Sequence, residues 1–379
     1  MKPFYFILIF IAYSLICFYV ALRGWQTLPN IKVLKISYIV VMVLLAYGYV
    51  LGAIFHRYFP SGLEKAIEII GSTWLIAIIY LFLTVVFLDL IRLLNCWLHF
   101  LPEITLPMRQ VTAAAVLFGI AVLFSVGYVR FMHPVVQKID IILENEHTTR
   151  NSIKIVVVSD LHLGNTFGKT HARRFVDIIN AQNPDIVFIV GDMINGNVKP
   201  LIEQRMDEDL QQIKAPLGVY AVLGNHEYIG GNIAAAEEFY KSCHIKCLKD
   251  EISEIDDLFI LIGRDDRMNR HRLPLNELCR QVNNEKHLPV ILLDHQPFQL
   301  EEAVQNNISL MLSGHTHAGQ IFPISLIVRS MYELTHGYKK KENSHFYVSS
   351  GLGIWGPPVR IGTQSEVGVI TVFFSEKDE

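Results

Sequence analysis

Four stretches in the first third of the chain are long and apolar enough to cross a lipid bilayer. A hydrocarbon core of about 30 Å needs roughly 20 mainly apolar residues in a helix. The sequence therefore predicts a membrane region over residues 1–132 with four transmembrane helices. The four stretches are Phe4–Leu22, Ile36–Phe55, Ala66–Leu88 and Val111–Val129.

The first stretch has an alternative interpretation as a cleaved signal peptide. It ends in the segment Ala21–Trp25, which has no convincing small-x-small cleavage site, so a retained anchor is favoured. An even number of spans places the N-terminus and the rest of the chain on the same side. Lysines and arginines are shared almost evenly between the two sets of loops, so the positive-inside rule does not decide the orientation.

Charged residues are rare in the four stretches. Asp89 and Arg92 lie one helical turn apart at the close of the third stretch, where they can pair near the interface. This placement gives little support to a transporter. Three cysteines, Cys243, Cys247 and Cys279, follow in the polar part of the chain without paired spacing. An odd number of cysteines favours a reducing compartment, and hence the cytoplasmic side.

After the membrane region, residues 133–379 alternate between strand and helix patterns. The segment Lys138–Glu146 is predicted to be a strand that joins a sheet, and the segments His171–Ala181 and Pro200–Lys214 have helical spacing. Together with short apolar runs between them, they predict a layered α/β domain. Two later runs predict a second sheet packed on the first, and they are Phe346–Val348 and Val367–Phe374. The net charge near zero, without a basic stripe, argues against nucleic acid as the primary partner.

Five of the apolar runs end in residues that can bind metal ions. Carboxyl ends of parallel strands form the ligand-binding edge of open α/β sheets, so these polar residues are expected to meet. Glycine precedes the polar residue in three of the five, as a sharp turn at a crowded site requires. Each motif alone has an ordinary interpretation as a turn, but five at successive strand ends indicate a site. The motifs are Asp160-Leu161-His162 after Ile153–Val158, Gly191-Asp192 after Ile186–Val190, Gly224-Asn225-His226-Glu227 after Val219–Leu223, Asp294-His295 after Val290–Leu293, and Gly314-His315-Thr316-His317 after Ile308–Leu312.

The mixture of side chains suits a pair of cations. Two cations about 3.5–4 Å apart that hold a phosphoryl oxygen need a carboxylate to bridge them, together with neutral imidazoles. Asp192 is the natural bridge. Carboxylate, amide and imidazole ligands together favour manganese, iron or zinc over a calcium or magnesium site built from oxygen alone.

These motifs, in this order and at these spacings, resemble the calcineurin-like metallophosphoesterases, and in particular their membrane-anchored bacterial branch. The resemblance covers about the last three fifths of the chain. It implies a two-sheet β-sandwich flanked by helices, and an integral protein of the bacterial inner membrane. Gly319-Gln320 and the segment Ser350–Gly353 also resemble that branch, whereas Ala318 and Glu227 depart from it in loop detail.

The resemblance also implies a role for each motif residue. Asp160, His162 and His317 would hold one metal ion, Asn225, His295 and His315 the other, and Asp192 would bridge them. His226 would be the acid that protonates the leaving group. The implied activity is hydrolysis of phosphomonoesters or phosphodiesters by a metal-bound hydroxide. The rival hypothesis is a membrane sensor or regulator that keeps the fold without catalysis, which the complete set of ligands disfavours.

The sequence leaves the substrate open. The apolar segment Ile324–Val328 and the lysines Lys339–Lys341 lie between the last histidine pair and the final strands. Next to a membrane anchor, they suggest a lipid-borne phosphoester. The alternative is a connection that packs on the sheet, with a soluble substrate.

Overall fold

The computed structural model describes residues 3–55 and 58–375. Contacts within the chain divide it into two compact units. The membrane unit comprises residues 1–126 and 356–358, and the α/β unit comprises residues 127–355 and 359–379. The sequence predicted two domains that meet between residues 132 and 133. Whether the two parts fold independently at that boundary stays a prediction.

The membrane unit contains the four predicted helices, each long and apolar enough to span a bilayer. The third helix continues to Leu98 and does not stop at Leu88. The longer helix includes the predicted pair, in which Arg92 Nη1 lies 3.1 Å from Asp89 Oδ1. The helices are α1 (Pro3–Trp25), α2 (Lys32–Phe55), α3 (Ser61–Leu98) and α4 (Leu106–Met132), whose last residues belong to the α/β unit.

The α/β unit contains twelve strands among the described residues, in two sheets of six. The strands of the first sheet are β1 (Val135–Glu144), β2 (Ser152–Val158), β3 (Ile186–Val190), β4 (Val219–Val222), β5 (Lys246–Leu248) and β12 (Glu366–Ser375). Those of the second are β6 (Glu251–Ile255), β7 (Phe259–Gly263), β8 (Val290–Leu293), β9 (Leu310–Ser313), β10 (Gly337–Lys341) and β11 (Ser344–Val348).

Strand order confirms the two predicted sheets but distributes the strands differently. The first sheet has the order β1-β12-β2-β3-β4-β5 and the second β10-β11-β9-β8-β7-β6. The two late runs that predicted a second sheet lie in different sheets, and β11 belongs to the second. The other, β12, returns to the first sheet and lies between β1 and β2, antiparallel to β2. Strands β2 to β5 are parallel, as are β7, β8, β9 and β11.

The alternating faces of the strands form three hydrophobic layers. Ile155 and Val157 of β2 pack between the sheets against residues such as Leu293, whereas Val156 and Val158 face helices on the outside. This burial on both faces explains the unbroken β-branched run of β2. Helices α10 (Leu275–Gln281) and α11 (Leu300–Gln305) cover the outer face of the second sheet. The architecture is the predicted sandwich flanked by helices.

Eight α-helices among the described residues of the α/β unit connect the strands. The segment predicted as one helix from Pro200 to Lys214 forms two short helices, α6 and α7, separated by Gln204–Met206. The eight are α5 (Lys169–Asn180), α6 (Lys199–Glu203), α7 (Asp207–Leu210), α8 (Asn225–Ile229), α9 (Ile233–Ser242), α10 (Leu275–Gln281), α11 (Leu300–Gln305) and α12 (Ile324–Met331).

Candidate metal centre

The predicted motif residues come together where five parallel strands from both sheets end. Strands β2, β3 and β4 deliver ligands from the first sheet, and β8 and β9 deliver them from the second. The packed sheets therefore form one cluster from residues up to 157 positions apart in sequence. Three overlapping groups of side chains have ligand atoms within 4.8 Å of one another. The groups are Asp160, His162 and His317; Asp192, His295 and His315; and His162, Asp192 and His226.

The first group surrounds Asp160, which is completely buried, as is His162. His317 Nε2 lies 3.3 Å from Asp160 Oδ1, and His162 Nε2 lies 3.2 Å from His317 Nε2. The backbone N–H of His315 donates to both oxygens of Asp160 and fixes the carboxylate. Two imidazoles and a carboxylate therefore converge on one point.

The second group has Asp192 and His295 at its centre. His295 Nε2 lies 3.2 Å from Asp192 Oδ2, in a geometry that leaves Nε2 without a hydrogen-bond partner among the described residues. His295 Nδ1 is 2.8 Å from the carbonyl oxygen of Val190, which orients the ring. Asn225 begins α8 nearby, and its Oδ1 is buried without a hydrogen-bond partner in the described part of the chain.

Asp192 connects the two groups. Its Oδ2 lies 3.8 Å from His162 Nε2 in the first group and 3.2 Å from His295 Nε2 in the second. Its Oδ1 accepts a hydrogen bond from the backbone N–H of His226 at 2.8 Å. A single carboxylate therefore faces both groups while its position is fixed from the backbone.

Five of these residues have backbone angles in the left-handed region: Asp160 (φ 56°), His162 (φ 47°), Asp192 (φ 51°), His315 (φ 70°) and His317 (φ 50°). Residues other than glycine adopt this region at a cost of about 1 kcal/mol or more each, and such positions cluster at functional sites. The sharp turns aim successive side chains of one short loop into the same space.

Two glycines meet the steric requirement predicted from the motifs. A Cβ atom on Gly224 would lie 2.2 Å from Asp192 Oδ1, and one on Gly191 would lie 2.3 Å from His295 Nδ1. Gly191 also has a φ of 80°. Any side chain at these positions would displace a candidate ligand.

Burial determines the protonation of most of the imidazoles. It lowers the pKa of His162 to about 3 and that of His315 to about 4, and it takes the pKa of His317 well below its usual value. These rings are therefore neutral at pH 7. Burial acts on the pKa of His295 in the same direction, but the carboxylates of Asp192, Asp160 and Asp266 together outweigh it and raise that pKa well above the ordinary value.

The two carboxylates respond in opposite directions. Burial, with Asp192 adding to it, raises the pKa of Asp160 to about 6 although His295 opposes the change. Burial also acts against ionisation of Asp192, but His295 and His162 outweigh it and hold the pKa of Asp192 below its usual range. Asp192 is thus ionised between the two groups.

The donor set fits divalent metal ions. The neutral imidazoles of His162, His315 and His317, the buried carboxylates and the amide oxygen of Asn225 offer lone pairs for coordination, and His295 would offer one once a cation displaces its proton. Nitrogen and oxygen donors in this mixture suit manganese, iron or zinc.

Sequence reasoning did not assign a role to Glu227. Its buried carboxylate accepts from the backbone N–H groups of Gly224, Asp192 and Ile194, and from the hydroxyl of Tyr240. Burial, with Asp192 adding to it, raises the pKa of Glu227 to about 8. Glu227 therefore ties the loop after β3 to the loop after β4. Its position directly after Asn225-His226 in the motif carried no signal for this role.

Asn195 was also missed. Its Oδ1 lies 3.0 Å from His226 Nδ1, and it orients the ring of His226 toward the cluster. Burial lowers the pKa of His226, with Asp192 opposing. A polar residue three positions after Asp192 was the only available signal.

Arg360 is the third residue that the motifs did not indicate. Its guanidinium is fully buried and donates to the carbonyl oxygens of His317, Ser350, Gly351 and Gly353 at 2.6–3.0 Å. Burial lowers its pKa to about 10, with Asp160 opposing, so the group stays charged at neutral pH. Arg360 fixes the backbone of the His317 loop.

Comparison with known proteins agrees with this arrangement. Residues 153–319 match the family profile described as calcineurin-like phosphoesterase. An uncharacterized metallophosphoesterase from Aquifex aeolicus is 33% identical over 227 residues, which cover 58% of this chain and 85% of that protein. The chain belongs to the metallophosphoesterase family.

Metallophosphoesterases with membrane helices are among the relatives. A zebrafish (Danio rerio) protein described as a transmembrane protein with metallophosphoesterase domain is 35% identical over 275 residues, 68% of this chain. The chain spans 62% of the length of that relative and 56% of the length of its cattle (Bos taurus) counterpart, which is 33% identical. The four apolar helices and these relatives identify this metallophosphoesterase as a membrane protein.

A solved structure also resembles the chain, at a greater distance. The 5'-nucleotidase precursor from Thermus thermophilus aligns with 59% of this chain and 54% of its own, at 13% identity and a TM-score of 0.37. That likeness is too remote to bear on activity.

Proposed function

We propose that the α/β unit hydrolyses phosphomonoester or phosphodiester bonds at a dinuclear metal centre. The observation that carries the proposal is the position of Asp192, whose Oδ2 faces His162 of one ligand group and His295 of the other. A carboxylate shared by two groups of imidazole and carboxylate ligands is the arrangement that a two-metal site needs. The test is a side-by-side screen of the manganese-loaded full-length protein against soluble and lipid phosphoesters.

In this proposal Asp160, His162 and His317 hold one ion, Asn225, His295 and His315 hold the other, and Asp192 bridges them. Bound there, two divalent cations would polarise a phosphoryl oxygen and lower the pKa of a water molecule. The protein holds the ligands in fixed directions through Glu227 and Arg360, so that little reorganisation is needed during the reaction.

His226 is proposed as the general acid for the leaving group. Asn195 fixes its Nδ1, which leaves Nε2 for a substrate oxygen. The negative charge of a bound phosphoester would raise the pKa of His226 and favour the protonated ring. Since His226 also lies within ligand distance of His162 and Asp192, the competing role is that of a metal ligand.

Replacing His226 with glutamine should separate these roles. We expect turnover of alkyl phosphoesters to fall by about 10²–10⁴-fold, because an alkoxide needs a proton to depart. Turnover of p-nitrophenyl esters should fall much less, since that anion leaves unaided, and the bound metal should not change. Equal losses on both ester types together with loss of metal would show that His226 is a ligand.

The competing function is a sensor or regulator that retains the fold. The three ligand groups together contain seven motif residues, which supports catalysis: Asp160, His162, Asp192, His226, His295, His315 and His317. Absence of turnover for every phosphoester tried, with metal bound at the site, would favour the sensor.

The substrate is proposed to be lipid-borne. Helix α12 begins shortly after the turn that carries His317, and it exposes Leu326 (53%) and Ile327 (63%) while its Ser325 is buried. A helix with apolar side chains outward and a polar one inward suits a lipid surface. The start of α12 is held in place, because the backbone N–H of Phe322, just before the helix, donates to the carbonyl oxygen of Ile361.

Charging α12 tests the lipid proposal. Leu326→Asp should reduce turnover of lipid phosphoesters by about tenfold and leave a small soluble ester unaffected, because only lipid chains would contact this face. Ile202→Asp is the matched control, since Ile202 of α6 is similarly exposed (55%). Equal effects of Leu326→Asp on both substrates would leave a soluble substrate as the better proposal.

The proposed location is the bacterial inner membrane with the α/β unit on the cytoplasmic side. The free cysteines of the α/β unit, Cys243, Cys247 and Cys279, support a reducing compartment.

A further inference from the structure

The membrane unit contains a cavity of about 420 Å³ between its four helices. Its lining follows α3 from Trp74 to Arg92, about 27 Å of helix at 1.5 Å per residue. Most of this lining is apolar, with Leu81 and Val85 of α3 and Val116 of α4 among the side chains. The cavity is therefore elongated along the helices and suited to hydrocarbon.

One part of the same cavity is strongly basic. Arg23, Arg92 and Arg109 line it, and among the described residues of the lining only Asp89 is acidic. Arg23 lies in the last turn of α1 and Arg109 in the first turn of α4, so by the alternation of the helices both belong to the same side of the unit. The described lining thus holds three guanidinium groups and one carboxylate, which gives it a net positive charge.

Asp89 does not provide partners for all the arginine donors of the cavity. Asp89 pairs with Arg23 and with Arg92, the latter at 3.1 Å. Arg109 forms no ion pair with a described residue, and the Nε atoms of Arg23 and Arg109 are buried without hydrogen-bond partners in the described part of the chain. Unpaired buried donors on positive groups are costly unless an anion binds them.

We infer that this cavity is a binding site for a lipid with a phosphate headgroup. The guanidinium groups match phosphate oxygens, for which arginine has the preferred planar, multiply donating geometry. The adjoining apolar lining accepts an acyl chain. Basic pockets between membrane helices bind anionic headgroups by this combination. The site uses none of the candidate metal ligands, so it does not depend on the phosphoesterase activity proposed above.

Lipid binding to the full-length protein tests the inference. The protein would be purified in detergent and titrated with phosphatidate, phosphatidylcholine or inorganic phosphate, and bound lipid counted by native mass spectrometry. We expect phosphatidate to bind in preference to phosphatidylcholine and inorganic phosphate not to displace it. Arg109→Gln should weaken phosphatidate binding about tenfold, because it removes the guanidinium that no carboxylate pairs.

Two further variants complete the design. Lys32→Gln removes a positive charge from the exposed start of α2, outside the cavity lining, and should leave binding unchanged. Ala113→Phe places a ring in the apolar lining and should reduce phosphatidate binding even if Arg109→Gln does not fold. Equal binding of phosphatidate and phosphatidylcholine that neither cavity variant changes would overturn the inference. Displacement of phosphatidate by inorganic phosphate would contradict the assignment of a lipid and would indicate a site for a soluble anion.

Discussion

Replacing Asp192 with asparagine is expected to reduce phosphoester hydrolysis by on the order of 10³-fold while leaving the fold intact. Asparagine has the same shape, and its amide oxygen can still accept the hydrogen bond from the His226 backbone. It cannot supply the negative charge that faces both His162 and His295. The measurement is turnover of a chromogenic phosphoester by the full-length protein, with circular dichroism to check folding.

The matched control for this variant is Asp177→Asn. Asp177 lies on the exposed side of α5, and the same change of charge there should leave turnover unaltered. Wild-type turnover by folded Asp192→Asn protein would remove the basis for a bridging carboxylate.

Replacing Arg360 with methionine is expected to destabilise the α/β unit more than any other variant proposed for that unit. Four carbonyl oxygens would lose a charged donor in a buried position, and methionine offers nothing in exchange. Losing one partner of a buried, charged hydrogen-bond network costs about 3–5 kcal/mol. We expect a clear decrease in the melting temperature of the α/β unit and weaker metal binding through the His317 loop.

Arg280→Met provides the comparison, because Arg280 is an exposed arginine on α10. Thermal unfolding followed by circular dichroism should show a decrease for Arg360→Met and almost none for Arg280→Met. If both variants melt with the wild type, Arg360 does not hold the loop.

The position of the candidate ligands could be predicted because each one directly follows a strand. Strand ends are local features, and parallel strands bring them to one edge whatever the order of the strands. The five motifs therefore predicted the cluster even though β8 and β9 belong to a different sheet from β2.

The features that sequence reasoning missed depend on contacts between distant segments. β12 enters the first sheet beside β2, more than 200 residues earlier in the chain, and an apolar run carries no information about its neighbours. The role of Arg360 could not be predicted for the same reason, because its hydrogen-bond partners are backbone carbonyls, which every residue possesses. Glu227 was visible in its motif, but its hydrogen bonds to Asp192 and Ile194 appear only when two loops meet.

The most direct test of the central claim is the number of metal ions that the site binds. Full-length wild-type protein and Asp192→Asn would be dialysed against manganese, and the bound metal measured by elemental analysis. A dinuclear centre bridged by Asp192 predicts about two ions per wild-type chain and a clear loss of metal in Asp192→Asn. One ion per wild-type chain, or the same metal content in both proteins, would contradict it.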